Sequence, residues 1–392
     1  MSNTSENKSI LKKDGVSYLV PFILITFCFA LWGFANDITN PMVKAFSKIF
    51  RMSVTDGTLV QVAFYGGYFA MAFPAAMFIR KYTYKAGVMM GLGLYAVGAL
   101  AFFPAKLTGN YYPFLLAYFV MTCGLSFLET SCNPYILSMG TEETATRRLN
   151  LAQAFNPIGS LMGMFVAMNF IQNQLHPMDT AERAQLSQAE FEAIRDSDLT
   201  ILITPYLTIG IVILVMLLVI RMSKMPKNAD KSHSIDFIPT LKRLYAVKRY
   251  RYGVVAQFFY VGAQIGVWSY TIRYVMQELN LLEASASDYY TITLFVFVGM
   301  RFVCTFLMKY ISPNMLLATL SVLAVLFCLP VMFIGGIVGV ISLISISGCM
   351  SLMFPTIYGI ASEGLGEKMK LGGCGLIMAI LGGAVLTSFQ GR

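Results

Sequence analysis

Two carboxylates stand inside stretches that are otherwise too apolar to welcome them. Glu129 lies in GLSFLETSCNP, Gly124 to Pro134, within an apolar run from about Pro113 to Met139, and Asp37 lies in LWGFANDITNP within a second run. An ionised side chain at the centre of a bilayer costs at least ~2.5 to 3.5 kcal/mol, so acids in such places usually mark ion or substrate paths. The plainer alternative for Glu129 is a structural carboxylate neutralised by a neighbouring helix. For Asp37 it is pairing with a cation such as Arg301. Both histidines, His176 and His233, fall in polar loops, which leaves proton chemistry to the carboxylates.

Amides and aromatic rings accompany these acids. Trp32, Asn36, Thr39 and Asn40 surround Asp37; Asn150, Gln153 and Asn156 recur at helical spacing in LNLAQAFNPIGSLMG; Gln257, Tyr260, Gln264 and Trp268 share one later stretch. Amides and carboxylates bond hydroxyls in pairs, and tryptophan and tyrosine faces cover the apolar C–H surface of a pyranose, so the combination points to a sugar. Hydrogen bonding between helices is the competing account of the amides, and anchoring at the membrane interface that of Trp32 and Trp268. A proton-coupled exporter of lipophilic cations also needs buried acids, but it favours a cavity poor in amides. An intramembrane enzyme needs a nucleophile with a base or a pair of aspartates, and only one aspartate lies deep in a span.

The elements that must position these residues are membrane helices. Of 392 residues 57% are hydrophobic and 12% charged, with mean hydropathy +0.66, against about 25% charged in an average globular domain. The chain is an all-α polytopic membrane protein. Its net charge of +9 comes from basic residues at the ends of apolar runs, with no basic stripe interleaved with aromatics, which sets nucleic acid aside. Seven cysteines all fall in apolar spans without metal-ligand spacing and read as small core residues. No metal and no cofactor are expected.

Eleven spans are expected, beginning near Tyr18, Thr58, Ala86, Pro113, Leu151, Leu199, Gly253, Tyr289, Met315, Val338 and Leu371, with a twelfth missing before Arg392. Residues 1 to 18 lack the cleavage site of a signal peptide, so the first span is retained. The organisation is an N-terminal half, 1–221, a basic linker, 222–251, and an incomplete C-terminal half, 252–392. With a cytoplasmic amino terminus, loops on that side hold 20 basic residues and those opposite hold six, as the positive-inside rule requires; Lys44, Lys48 and Arg51 are the exception. Glycines in spans two and three, including Gly87, Gly91, Gly93 and Gly98, read as packing sites between helices. The halves repeat weakly: Ser126-Phe-Leu-Glu-Thr, ending in Met139-Gly140, aligns with Ser351-Leu-Met-Phe-Pro, ending in Leu365-Gly366. Six-span halves joined by a basic linker characterise the major facilitator fold, whose sites lie near the midplane between the halves.

Five motifs in order extend the reading: LWGFAND, FLETSCNP, RLNLAQAFNP, AQFFYVGAQIGVWSYTIRY and FPTIYGIASEGLG. On these, over essentially the whole chain, the sequence resembles the fucose-galactose-glucose-proton symporters of the major facilitator superfamily. The resemblance implies a transporter that couples sugar uptake, most closely of L-fucose, to proton entry in the cell inner membrane, with Glu129 protonatable and hydroxyl contacts from Asn133, Gln153 and Gln257. Its partners would be a monosaccharide, a proton and the lipid bilayer, and the protein a monomer. Two positions depart from the family pattern. The span-one acid stands at Asp37 and an asparagine at Asn40, the reverse of the usual order, and Phe354 replaces a tyrosine expected beside the sugar.

Overall fold

The computed structural model describes residues 10–13, 16–39, 42–52, 56, 59–226 and 237–390; Asn40, one of the expected sugar contacts, and His233 lie outside them. A short antiparallel hairpin, β1 (Lys12–Lys13) and β2 (Val16–Ser17), precedes the helices. In chain order these are α1 (Leu19–Thr39), α2 (Met42–Ile49), α3 (Leu59–Lys81), α4 (Tyr84–Leu100), α5 (Phe102–Thr108), α6 (Tyr112–Ser138), α7 (Ala145–Gln153), α8 (Phe155–Val166), α9 (Thr180–Ala184) and α10 (Gln188–Met222). Within the expected linker lies α11 (Phe237–Ala246), and α12 (Lys248–Leu279) begins before its end; α13 (Glu283–Leu307), α14 (Pro313–Phe333), α15 (Gly336–Met350), α16 (Met353–Ser362), α17 (Met369–Met378) and α18 (Leu381–Gln390) follow.

Among the described residues, nine helical stretches are long and apolar enough to cross a membrane. The helix α12 is absent from those nine because its cavity-type residues dilute its apolar character, and the last expected span is broken into α17 and α18 at Ala379. Four expected spans are interrupted helices: the third breaks at Ala101, the fifth at Ala154, the tenth at Ser351 and Leu352, the eleventh at Ala379 and Ile380.

Packing divides the chain into two compact units. One comprises Ile23–Cys132 and Ile158–His233. Its core is an antiparallel contact of α4 with α6 in which glycines replace side chains: a Cβ on Gly91 would lie 2.9 Å from Gly124 O, and one on Gly87 or Gly98 would meet Ser131 or the Met121 backbone. Small residues allow this approach where apolar lipid removes any hydrophobic drive between helices. Gly159 and Gly163 bring α8 against the carbonyls of Ala30 and Phe34 in α1 in the same way.

Two of the basic residues expected to break the positive-inside pattern, Lys48 and Arg51, lie beside a buried ion pair in this unit. Arg183 and Asp198, buried, form an ion pair at 2.6 Å. Arg183 also donates to the His176 and Met178 carbonyls, both at 3.1 Å, while His176 N donates to the other Asp198 oxygen. Arg51 donates to Arg183 O and lies 3.4 Å over the Phe191 ring, and Lys48 donates to Pro177 O. Burial, then the Arg183 guanidinium, holds the Lys48 amine below the ordinary lysine pKa, with Asp198, Asp179 and Glu182 opposing. The span expected from Leu199 is helical from Gln188, because Ser187 and Glu190 form a reciprocal capping box that starts α10 early.

The other unit comprises Met1–Phe22, Asn133–Pro157 and Ser234–Arg392. Here α12 runs close to α17 and α18: Tyr250 donates to Gly372 O at 2.8 Å, and Gly382 meets the Phe258 carbonyl. A cluster of Tyr260, Val261, Phe297, Leu343, Ile346, Met350, Met353 and Ile357 joins α12, α13, α15 and α16. Arg148, fully buried, clamps the exit of α6 by donating to Ile136 O at 2.7 Å and Leu137 O at 2.6 Å, and it reaches Ile10 O before the hairpin. The repeated helix exits share a backbone device, since Gly140 has φ +130° and Gly366 φ +51°, where other residues are strained.

Candidate transport site

Glu129 is 1% exposed, in the middle of α6. Leu128 and Ser131, on the face of α6 that the α4 glycines take up, fix the helix rotation. One turn beyond Glu129, Pro134 has no N–H to offer Thr130 O, so the ladder is interrupted beside the acid. In the same unit Asp37 is half-buried near the end of α1. Trp32, one turn earlier, is buried, and its indole N–H has no hydrogen-bond partner among the described residues. A buried donor left without an acceptor is costly, so this N–H suits a hydroxyl delivered by a ligand or water.

The amides gather in the other unit, and the structure assigns them different tasks. Gln153 Nε2 donates to Asn133 Oδ1 at 2.6 Å, both side chains being buried. Asn150 Nδ2 donates to Thr356 Oγ1 at 3.1 Å and to Thr146 O at 2.9 Å, so this amide serves helix association. Asn156 belongs to the next helix, after the break at Ala154, and is half-buried. The expected row of three amides on one face is thus divided by a helix interruption and by partner choice.

On α12, Gln257 is fully buried, and neither its oxygen nor its nitrogen has a hydrogen-bond partner among the described residues. Such an amide has room for several bonds to a ligand or water. Tyr260 donates to Met350 O at 3.0 Å, and Trp268 Nε1 donates to Ser347 Oγ at 3.1 Å while its ring meets Phe297 edge to face at 4.9 Å. Their polar tips are therefore taken, leaving ring faces for contact. Gln264 is half-buried, and Phe354 packs against the Tyr260 cluster.

Arg301 is absent from the residues expected to contact sugar, yet it adjoins them. The residue is 4% exposed; its guanidinium donates to Gln153 O at 3.3 Å, lies 5.0 Å from the Phe297 ring centre, and keeps an Nε–H without a partner among the described residues. A lone arginine in an apolar span is the sequence signal for such a residue. Among the described residues no group of three or more His, Cys, Asp or Glu is placed to hold a metal.

Long apolar helices carrying a buried acid at mid-span, with fully buried amides on other spans, define a membrane transport protein. Residues 25–388 match the Major Facilitator Superfamily, and the chain belongs to that family. It is 45% identical over 98% of its length, and 90% of the relative's, to the L-fucose-proton symporter of Haemophilus influenzae. It is 36% identical over 96% of its length, and 87% of the relative's, to the L-fucose-proton symporter of Escherichia coli. The crystal structure of the Major Facilitator Superfamily transporter FucP in the outward conformation superposes with a TM-score of 0.89 at 35% identity, covering 95% of this chain and 92% of that one. These relatives are transporters, and the intramembrane-enzyme alternative falls with them.

Proposed function

We propose that this chain is a proton-coupled symporter that imports a monosaccharide, L-fucose first among candidates, by alternating access. The observation that carries the reading is Glu129, an acid 1% exposed in the middle of a membrane span, in a chain 45% identical to an L-fucose-proton symporter. In this reading Glu129 takes a proton from outside, and loss of its charge lowers the cost of enclosing it during reorientation; the proton leaves on the opposite side with the sugar. Asp37 shares the proton or accepts a sugar hydroxyl. Asn133, Gln153, Asn156, Gln257 and Gln264 supply amide contacts, Asn40 another, and Trp32, Tyr260, Trp268 and Phe354 supply ring faces.

The halves 1–221 and 252–392, joined by the basic linker 222–251, rock about the site. Eleven spans are assigned by adding α12 and the α17–α18 pair to the nine that composition alone identifies. The amino terminus is cytoplasmic, supported by the charge asymmetry of the loops, and the protein works as a monomer in the cell inner membrane. Galactose or glucose is the second reading for the substrate, since Phe354 stands where the family pattern has a tyrosine beside the sugar. Uptake of radiolabelled L-fucose, galactose and glucose into proteoliposomes, with and without an inward proton gradient, tests the reading. Gradient-dependent fucose uptake supports it, and uptake indifferent to the gradient opposes it.

A further inference from the structure

The helix α7 touches α13 and α16 through an unusually polar seam. Asn150 and Thr356 are both fully buried and exchange hydrogen bonds: Asn150 Nδ2 to Thr356 Oγ1 at 3.1 Å, and Thr356 Oγ1 to Asn150 Oδ1 at 3.4 Å. One turn away on each helix, Gly359 faces Thr146 so closely that a Cβ would lie 2.6 Å from Thr146 Oγ1 and 2.9 Å from its methyl. At the flanks Arg147 donates to Thr305 O at 3.2 Å and Arg301 to Gln153 O at 3.3 Å. Every one of these bonds joins the N-terminal half of the sequence to the C-terminal half.

The seam lies toward the end of the spans at which the chain enters. Arg148, in the middle of α7, holds both the α6 exit and Ile10, just ahead of the hairpin and α1. That end is the cytoplasmic one under the proposed orientation.

The chemistry suits a joint that opens and closes. An amide and a hydroxyl are neutral, and water can replace each partner once the seam parts; a buried ion pair would leave two charges uncompensated at the moment of separation. Gly359 permits the two helices to close without side chains that would have to interlock. From these relationships we propose that the Asn150–Thr356 pair, seated on the Thr146–Gly359 contact, is the bolt of the cytoplasmic gate and separates in every transport cycle. The Arg301–Gln153 bond then ties the bolt to an amide assigned to the sugar. This inference rests on the alternating-access reading above.

The test uses the full-length protein in proteoliposomes and two kinds of variant. The Asn150→Cys/Thr356→Cys pair is oxidised, and cross-linking is verified by mass spectrometry against the equally oxidised parent. Fucose transport should fall at least tenfold and return on reduction, with binding of external sugar retained. The second variant, Thr356→Val, keeps the shape and removes the hydroxyl. Amide hydrogen exchange in 145–153 and 353–362 should accelerate several-fold in it and stay slow in Thr356→Ser, whereas exchange elsewhere stays unchanged. A cross-linked protein that transports at its reduced rate overturns the proposal. So does unchanged exchange in Thr356→Val, which decides the matter where the cysteine pair fails to form a bond or to fold. If the parent moves no sugar at all, the symporter reading itself fails, and the two failures are told apart.

Discussion

The side-chain amide of Gln153 donates to Asn133 Oδ1 at 2.6 Å while its backbone carbonyl receives Arg301, so one residue of α7 is held from both sides. That arrangement fixes the orientation of two amides assigned to the sugar and places a buried cation beside them. A ligand hydroxyl that bonds either amide senses the other through the bond between them.

Truncating Gln153 to alanine should therefore weaken sugar binding and also leave Asn133 with one bond fewer. A buried hydrogen bond lost in this way costs about 1–3 kcal/mol, or roughly 5- to 150-fold in affinity. Isothermal titration of Gln153→Ala, Asn133→Ala and the double variant should show non-additive losses, as expected for residues in contact. Additive losses would mean that the amides act independently.

The acid of the first span gives a second prediction. This chain carries its acid at Asp37, three residues before the position that the family pattern uses. Asp37→Asn should abolish accumulation, and adding Asn40→Asp should restore part of it. Normal uptake and affinity in Asp37→Asn would remove Asp37 from the mechanism.

The buried Arg183–Asp198 pair is assigned to stability and not to transport. Asp198→Asn leaves the guanidinium without its counter-charge, a change worth about 3–5 kcal/mol of destabilisation. Thermal unfolding in detergent should shift well below that of the parent, while folded protein keeps its sugar affinity. A variant that melts with the parent would show that the carbonyls of His176 and Met178 suffice for Arg183.

Much of this architecture is legible in the sequence because lipid imposes a narrow code. Apolar length marks the spans, and the small residues Gly87, Gly91 and Gly98 mark where α4 meets α6. Glu129 stands out because a charge in such a run needs a reason, and its burial agrees with that. What composition cannot give is partnership across long separations. Asn150 and Gln153 look alike on a helical wheel, yet one is bound to Thr356, 206 residues away, and the other to Asn133. Lys48 and Arg51 stand far in the sequence from the Asp179–Asp198 segment, yet that segment folds back toward them. The Ser187/Glu190 capping box was readable in the sequence, but the run of charged residues around it reads as a loop.

Coupling of proton entry to sugar movement by Glu129 is tested most directly by one variant. Glu129→Gln keeps the shape and hydrogen-bonding capacity of the neutral acid but cannot release a proton. In proteoliposomes preloaded with L-fucose, this variant should exchange internal for external labelled sugar, while failing to accumulate sugar when an inward proton gradient is imposed. Proton-driven accumulation at the parent's level in Glu129→Gln would contradict the account.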